Sequence, residues 1–159
     1  MIKNYLYTLI LSIVPISELR GAIPFAYFND ISIFLALVIS IIGNCLVYPI
    51  CNFFLNHINN FFCKHIKRYN IFYKKFRIST SKKIQNKINK YGYLGLMIFV
   101  GIPLPITGAW TATFGSWFLG LDKKKSFWFI SLGILMSGII VSTFLFLGIG
   151  INSIFIKKL

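Results

Sequence analysis

Apolar residues run through this chain in four long blocks, and the blocks are of two kinds. Ile31–Leu55 and Ser126–Ile151 contain no Lys, Arg, Asp or Glu over 25 and 26 residues. About 20 apolar helical residues suffice to cross the hydrocarbon of a bilayer, so the pattern predicts two complete membrane-spanning helices. Tyr5–Phe28 and Gly92–Leu121 are also apolar but carry helix breakers: Pro15, Gly21 and Pro24 in the first, Gly101, Pro103, Pro105 and Gly108 in the second. Proline inside a helix removes a hydrogen bond and clashes with the preceding turn, at about 3 kcal/mol or more. A straight helix over Gly92–Leu121 would reach about 45 Å, well beyond the hydrocarbon core. Both segments are therefore expected as re-entrant hairpins, two half-helices joined by an irregular tip near the midplane. The freed backbone groups of such a tip must face protein or water rather than lipid.

The order is broken segment, short polar turn, full span, then the same again, with turns at Asn29-Asp30 and at Asp122–Lys125. Gly43-Asn44 and Ser137-Gly138 sit near the middle of the full spans. The repeat is one of pattern rather than of residue identity, and coincidence between two ordinary halves is the bland alternative. Paired interrupted segments in corresponding positions point instead to a transporter built from inverted repeats. The expected fold is an all-α integral membrane protein, a single membrane domain over residues 1–159. Its first half is 1–55, a basic amphipathic helical segment covers 56–91, and the second half is 92–159.

Composition agrees: 57% of residues are hydrophobic and 13% charged, against roughly 25% charged in soluble domains. The net charge of +14 points to lipid and topology rather than nucleic acid, because the positive residues lie outside the full spans. Ten of them fall between the halves: Lys64, Lys67, Arg68, Lys74, Lys75, Arg77, Lys82, Lys83, Lys87 and Lys90. Short loops this basic stay cytoplasmic. Phe62, Ile66, Tyr69, Tyr73 and Phe76 recur at steps of three or four, so the segment reads as an amphipathic helix on the anionic inner leaflet; a solvated linker is the plainer reading. Charge alone leaves topology open. Hairpins put Lys123–Lys125 inside and Lys3, Lys157 and Lys158 outside, and four conventional spans exchange the two sets. The helix breakers decide for hairpins. Cys45, Cys51 and Cys63 show no CxxC spacing and suggest no disulfide framework, and His57, Cys63 and His65 fit no standard zinc pattern. The first apolar stretch runs into Pro15, Glu18 and Arg20 rather than into a signal-peptide cleavage site.

Glu18 and Arg20 are the only charged residues inside any apolar block. A charge at membrane depth costs about 2.5–3.5 kcal/mol or more, and such residues usually mark an ion or substrate path. Positions two apart do not face each other on a helix, but both could point one way in an extended tip, which Gly21 and Pro24 would suit. Glu18 is then a proton carrier, and Arg20 offers a planar fork to a phosphate or carboxylate. A purely structural Glu–Arg pair is the alternative. In the second broken block, Pro103, Pro105, Thr107, Gly108, Trp110 and Thr111 suit the start of a half-helix whose N-terminus, aimed at the midplane, would attract an anion. A kinked packing helix is the competing reading. Asn44, polar at mid-span, could line the path or serve as interhelical glue.

Glu-Leu-Arg-Gly-Ala-Ile-Pro (18–24) and Pro-Leu-Pro-Ile-Thr-Gly-Ala-Trp (103–110) resemble the two signature motifs of the small multi-drug export protein family. That family is in turn distantly similar to the DedA or SNARE-associated (VTT-type) membrane proteins, whose opposed re-entrant hairpins are implicated in moving undecaprenyl phosphate or other lipids, with proton coupling proposed. The resemblance implies roles for Glu18, Arg20, Pro103, Pro105 and Thr107. DedA proteins typically carry an arginine in the second hairpin; Gly101–Trp110 has none.

The leading expectation is a proton-coupled transporter of the cytoplasmic membrane, multi-pass, moving a lipid or small amphiphilic anion. A small multidrug-type exporter of cations using Glu18 is the second, and Arg20 would repel its substrate. A membrane-organising protein acting through Lys82, Lys83 and Lys87 is the third. No nucleophile–base pair, phosphate loop or metal constellation marks an enzyme, and no cofactor is implied. In so small a bundle a homodimer would help to close a cavity. Topology is testable with single cysteines at Asp122 and Leu159, in a background lacking Cys45, Cys51 and Cys63. Hairpins predict that an impermeant reagent labels Leu159 and spares Asp122 in intact cells. The opposite pattern means that the second segment crosses fully.

Overall fold

The computed structural model describes residues 2–66, 71, 92–104 and 107–156. Among them are six helices and no strand: α1 Ile2–Ile13, α2 Glu18–Phe28, α3 Ile33–His65, α4 Gly92–Gly101, α5 Ala109–Phe118 and α6 Lys123–Ile156. Two of them, α3 and α6, are long and apolar enough to cross a bilayer. Their beginnings are capped: the Lys125 N–H donates to Asp122 Oδ1 at 2.9 Å, and the Leu35 N–H donates to Ser32 Oγ at 3.4 Å.

The turns that lead into these two helices are built alike. Asp30 and Gly120 take left-handed φ values of 62° and 68°. After α2, the Asp30 N–H donates to Tyr27 O and the Ile31 N–H to Ala26 O; after α5, the Gly120 N–H donates to Trp117 O and the Leu121 N–H to Ser116 O. Both are Schellman closures, with the left-handed residue just past the helix end. Glycine takes that conformation without strain and Asp tolerates it.

α3 and α6 pack antiparallel. The Tyr48 and Phe127 rings meet at 5.5 Å, and the Tyr48 hydroxyl donates to Lys123 O at 2.9 Å. Toward the other end, a Cβ on Gly138 would lie 2.8 Å from Leu37 Cδ1. Each long helix is crossed by a short one where a glycine admits it. A Cβ on Gly133 would lie 2.6 Å from the Met97 carbonyl of α4, and one on Gly43 would lie 3.2 Å from the Leu9 carbonyl of α1. α1 and α2 fold back on each other, with the Tyr7 and Phe25 rings edge-on at 6.4 Å. The Tyr93 hydroxyl, at the start of α4, accepts the Asp122 N–H at 3.2 Å, so α4 begins at the end of the molecule where α5 finishes and α6 starts.

The core joins Leu19, Ile23 and Ala26 of α2 to Ala36, Val47 and Tyr48 of α3, Val100 of α4, Ala109 and Ala112 of α5, and Ile130 and Ile134 of α6. Much of the remaining interior is small and polar. Thr8, Ser12, Thr113 and Ser116 are buried with their hydroxyls donating to carbonyls of their own helices. The large apolar side chains point outward instead, among them Phe34, Ile42, Phe53, Phe54, Trp128, Ile139 and Phe144. Small residues inside and bulky ones outside suit a bundle whose solvent is lipid.

Three sequence expectations are corrected. The first break falls at Val14–Ser17, not at Gly21 and Pro24, both of which lie inside α2. Pro15 stands in the break; Pro24 stays helical and releases the Arg20 carbonyl from its usual partner. Asn56 does not begin a separate segment, because α3 continues to His65. Lys123–Lys125 form the first turn of α6 rather than a loop, started by the Asp122 cap. Pro105 lies outside the described residues. So does the basic segment beyond Ile66, Ile71 excepted: Lys67, Arg68, Lys74, Lys75, Arg77, Lys82, Lys83, Lys87 and Lys90. Lys64 is exposed near the end of α3.

Candidate functional site

The start of α5 poses a problem that its own sequence does not solve. The first N–H groups of a helix need acceptors, usually from a Ser, Thr, Asp or Asn at the N-cap. The N-cap here is Gly108, which has no side chain. Thr111 supplies half of a capping box by accepting the Gly108 N–H on Oγ1 at 3.1 Å. A residue 90 positions earlier brings negative charge to this start: the carboxylate of Glu18 lies against the first turn, beside the backbone N–H groups of Ala109 and Trp110. Carboxylate and helix start are so close that a Cβ on Gly108 would lie 2.0 Å from Glu18 Oε2. Gly108 has an extended backbone, φ −168°, that any residue adopts; glycine is required there by the approach of the carboxylate.

Glu18 is 4% exposed, and it takes φ 46° at the first position of α2. A left-handed glutamate is strained by about 1–3 kcal/mol. That conformation turns Glu18 out of the helical register, so that it and Arg20 meet at 3.3 Å although they are two residues apart. Arg20 also reaches the break between α4 and α5. Nη1 donates to Leu104 O, and Nη2 donates to Thr107 O at 3.3 Å. Thr107 closes the rest of that break: its hydroxyl accepts the Leu104 N–H at 3.1 Å and donates to Ile102 O at 2.8 Å. In the opposite sense, the Trp110 indole N–H donates to Ile13 O at 2.7 Å, at the end of α1. Each half thus satisfies backbone freed in the other.

Glu18, Arg20, Thr107, Gly108, Trp110 and Thr111 come together as one cluster. Pro103 sits half-buried in the same break, and Gly21 follows Arg20 on α2 with Ser17 Oγ packed against it. Pro24 lies one turn further along α2. Asn44 is in the interior of α3, 1% exposed, and neither its amide nitrogen nor its oxygen has a hydrogen-bond partner. At the start of α5, where the sequence suggests an anion site, the Glu18 carboxylate lies against Gly108. The carbonyls of Ile13 and Leu104 were missing from the sequence reading; the only signal for them is that a break must free carbonyls. Among the described residues no group of three or more His, Cys, Asp or Glu side chains is placed to hold a metal ion.

Among the described residues, two long apolar helices, outward-facing aromatics and a partly buried ion pair between two chain breaks define an all-helical membrane protein. Residues 18–140 match the family described as putative small multi-drug export protein, a stretch of 123 of the 159 residues, and the chain belongs to that family. No curated protein and no solved structure matches the chain.

The close approach at Gly108 is open to a double-mutant cycle read by thermal unfolding in detergent. Glu18→Ala takes the negative charge away from Arg20 and from the start of α5 and is expected to cost on the order of 2–4 kcal/mol. Gly108→Ala, which expels the carboxylate, should cost a similar amount, and the double variant little more than either alone. Additive losses would show that the two residues do not share one interaction.

Proposed function

We propose that the chain is a small transporter of the cytoplasmic membrane, coupled to protons, that moves a lipid or small amphiphilic anion past the Glu18–Arg20 cluster. The observation that carries this reading is the buried carboxylate seated between Arg20 and the N-terminus of α5. A helix N-terminus and a guanidinium together favour an anion, and in this arrangement the chain's own carboxylate holds the seat. Protonation of Glu18 removes its charge and frees the seat for the anionic group of a substrate. Return of the carboxylate expels that group. Carboxylate and substrate anion then compete for one position, so the proton and the anion bind together and a single membrane carboxyl couples their fluxes.

Both broken segments are re-entrant in this reading, and the halves form an inverted repeat. Support comes from the antiparallel packing of α3 and α6 and from the start of α4 lying beside the start of α6. Further support comes from pairs of like features 90 positions apart: the left-handed turn residues Asp30 and Gly120, and the crossing glycines Gly43 and Gly133. With α3 crossing the membrane, each broken segment returns to the side it entered from, and the two breaks meet near the midplane.

Export of cations is the second reading, favoured by the family's description. It requires a cation at the Glu18 carboxylate, where the Arg20 guanidinium already stands at 3.3 Å. Reconstituted vesicles separate the two. Wild type should translocate a fluorescent anionic lipid analogue under a pH gradient, and Glu18→Gln, present in the membrane in equal amount, should lose that activity by about tenfold or more, the loss expected when one essential proton-transfer group is removed. Full activity in Glu18→Gln would overturn the proposal. Glu18-dependent accumulation of tetraphenylphosphonium would favour cation export.

A further inference from the structure

We infer that α3 carries a hydrated path from the end of the molecule where Lys123–Lys125 stand to the first chain break, and that protons reach Glu18 along it. Residues four apart form one inclined row on a helix surface. On α3 one such row reads Ser40, Asn44, Tyr48, Asn52 and Asn56, polar at every position in a helix apolar enough to cross a bilayer. The row two residues out of step, Val38, Ile42, Leu46, Ile50 and Phe54, has no polar side chain and faces outward. From Ser40 to Asn56 the polar row rises about 24 Å, against roughly 30 Å for the hydrocarbon of a bilayer.

The two ends of the row differ. At one end Tyr48, Asn52 and Asn56 line a cavity of about 130 Å³ together with Ser116, Gly120 and Lys123. A water needs roughly 10–15 Å³ of such space and a few polar partners, so several fit. The other end is closed from the surface: Ser40 is 0% and Asn44 1% exposed. Neither the Ser40 hydroxyl nor either polar atom of the Asn44 amide has a hydrogen-bond partner in the protein. Buried amides are almost always paired, with protein or with water. An asparagine acting as glue at mid-span would bond across to another helix, and Asn44 does not. Its neighbours turn it into the bundle: Gly43 packs on Ser12 of α1, and Leu37 and Ile41 pack on Gly138 of α6. Water is the partner this chemistry calls for, and one helical turn separates Asn44 from Tyr48 at the cavity. The closed end also adjoins the first break. Ile13, next to Ser12, gives its carbonyl to the Trp110 indole, in the α5 turn against which the Glu18 carboxylate lies. A proton handed from water to water along the row ends on that carboxylate and leaves the waters unchanged. Delivery to Glu18 rests on the transport reading; hydration of the row stands by itself.

Cysteine reactivity in vesicles reads hydration directly, because only a thiol that ionises in water attacks a methanethiosulfonate. The full chain, with Cys45, Cys51 and Cys63 replaced by Ala, carries single cysteines along the polar row, Ser40→Cys, Asn44→Cys and Asn52→Cys. Ile42→Cys, Leu46→Cys and Ile50→Cys on the outward row are the controls. The probe is 2-aminoethyl methanethiosulfonate, and the fraction modified is followed by intact-protein mass spectrometry. The polar row should react faster than the outward row by about tenfold or more, the difference that one unit of thiol pKa produces. Asn52→Cys, at the cavity, should be the fastest. Ser40→Cys changes one oxygen to sulfur and should fold, so the closed end is tested even if Asn44→Cys does not. Ser40→Cys as slow as the outward row would mean a dry interior and overturn the inference. The readout does not need transport. The same pattern is expected in Glu18→Gln, whose transport assay decides separately whether the path serves a proton carrier.

Discussion

A carboxylate buried in a membrane protein must be paired, and the pairing of Glu18 organises this molecule. Its oxygens lie against the start of α5 and face the Arg20 guanidinium at 3.3 Å. An unpaired ion at this depth would cost several kcal/mol. Each partner is therefore fixed by the others. Gly108 has to lack a side chain, Glu18 has to take a left-handed backbone, and Arg20 has to reach the break before α5. Cores in lipid gain little from hydrophobic burial between helices, so polar contacts carry a larger share of the specificity. Here they are concentrated where two chain breaks meet.

The breaks themselves explain why the contact is between halves. A helix interrupted within a bilayer exposes backbone groups that lipid cannot satisfy. The Ile13 carbonyl is taken by the Trp110 indole, and the Leu104 and Thr107 carbonyls by Arg20. Thr107 closes part of the second break from within, and donors from the opposite half take the remaining carbonyls. Arg20 and Trp110 stand 90 positions apart, as do the left-handed turn residues and the crossing glycines. The two latches differ in chemistry, one ionic and one neutral.

Much of this was legible in the residues. Uncharged runs of 25 and 26 residues marked α3 and α6, and Glu18, Arg20, Thr107 and Gly108 were singled out from their setting in apolar blocks. The position of the first break was not. Gly21 and Pro24 look like breakers but sit inside α2, while Pro15 stands in the break. Local propensity cannot tell which of three breakers yields, because tertiary contacts decide where freed carbonyls find donors. Asn56 reads as the start of a separate basic amphipathic helical segment, yet α3 continues through it to His65. The occupant of the α5 N-terminus was the largest miss. An anion seat could be inferred from a Pro-, Thr- and Gly-rich start, but its filling by a carboxylate from 90 positions away is a fact of tertiary structure.

Amide hydrogen exchange at Ala109 and Trp110 tests the shared carboxylate most directly. With Glu18 in place these two N–H groups should be protected, and Glu18→Ala should speed their exchange by about tenfold or more, the equivalent of about 1.4 kcal/mol. The Lys125 amide, capped by Asp122, should be unchanged. Equal protection of Ala109 and Trp110 with and without the carboxylate would contradict the account, because α5 would then hold its first turn without Glu18.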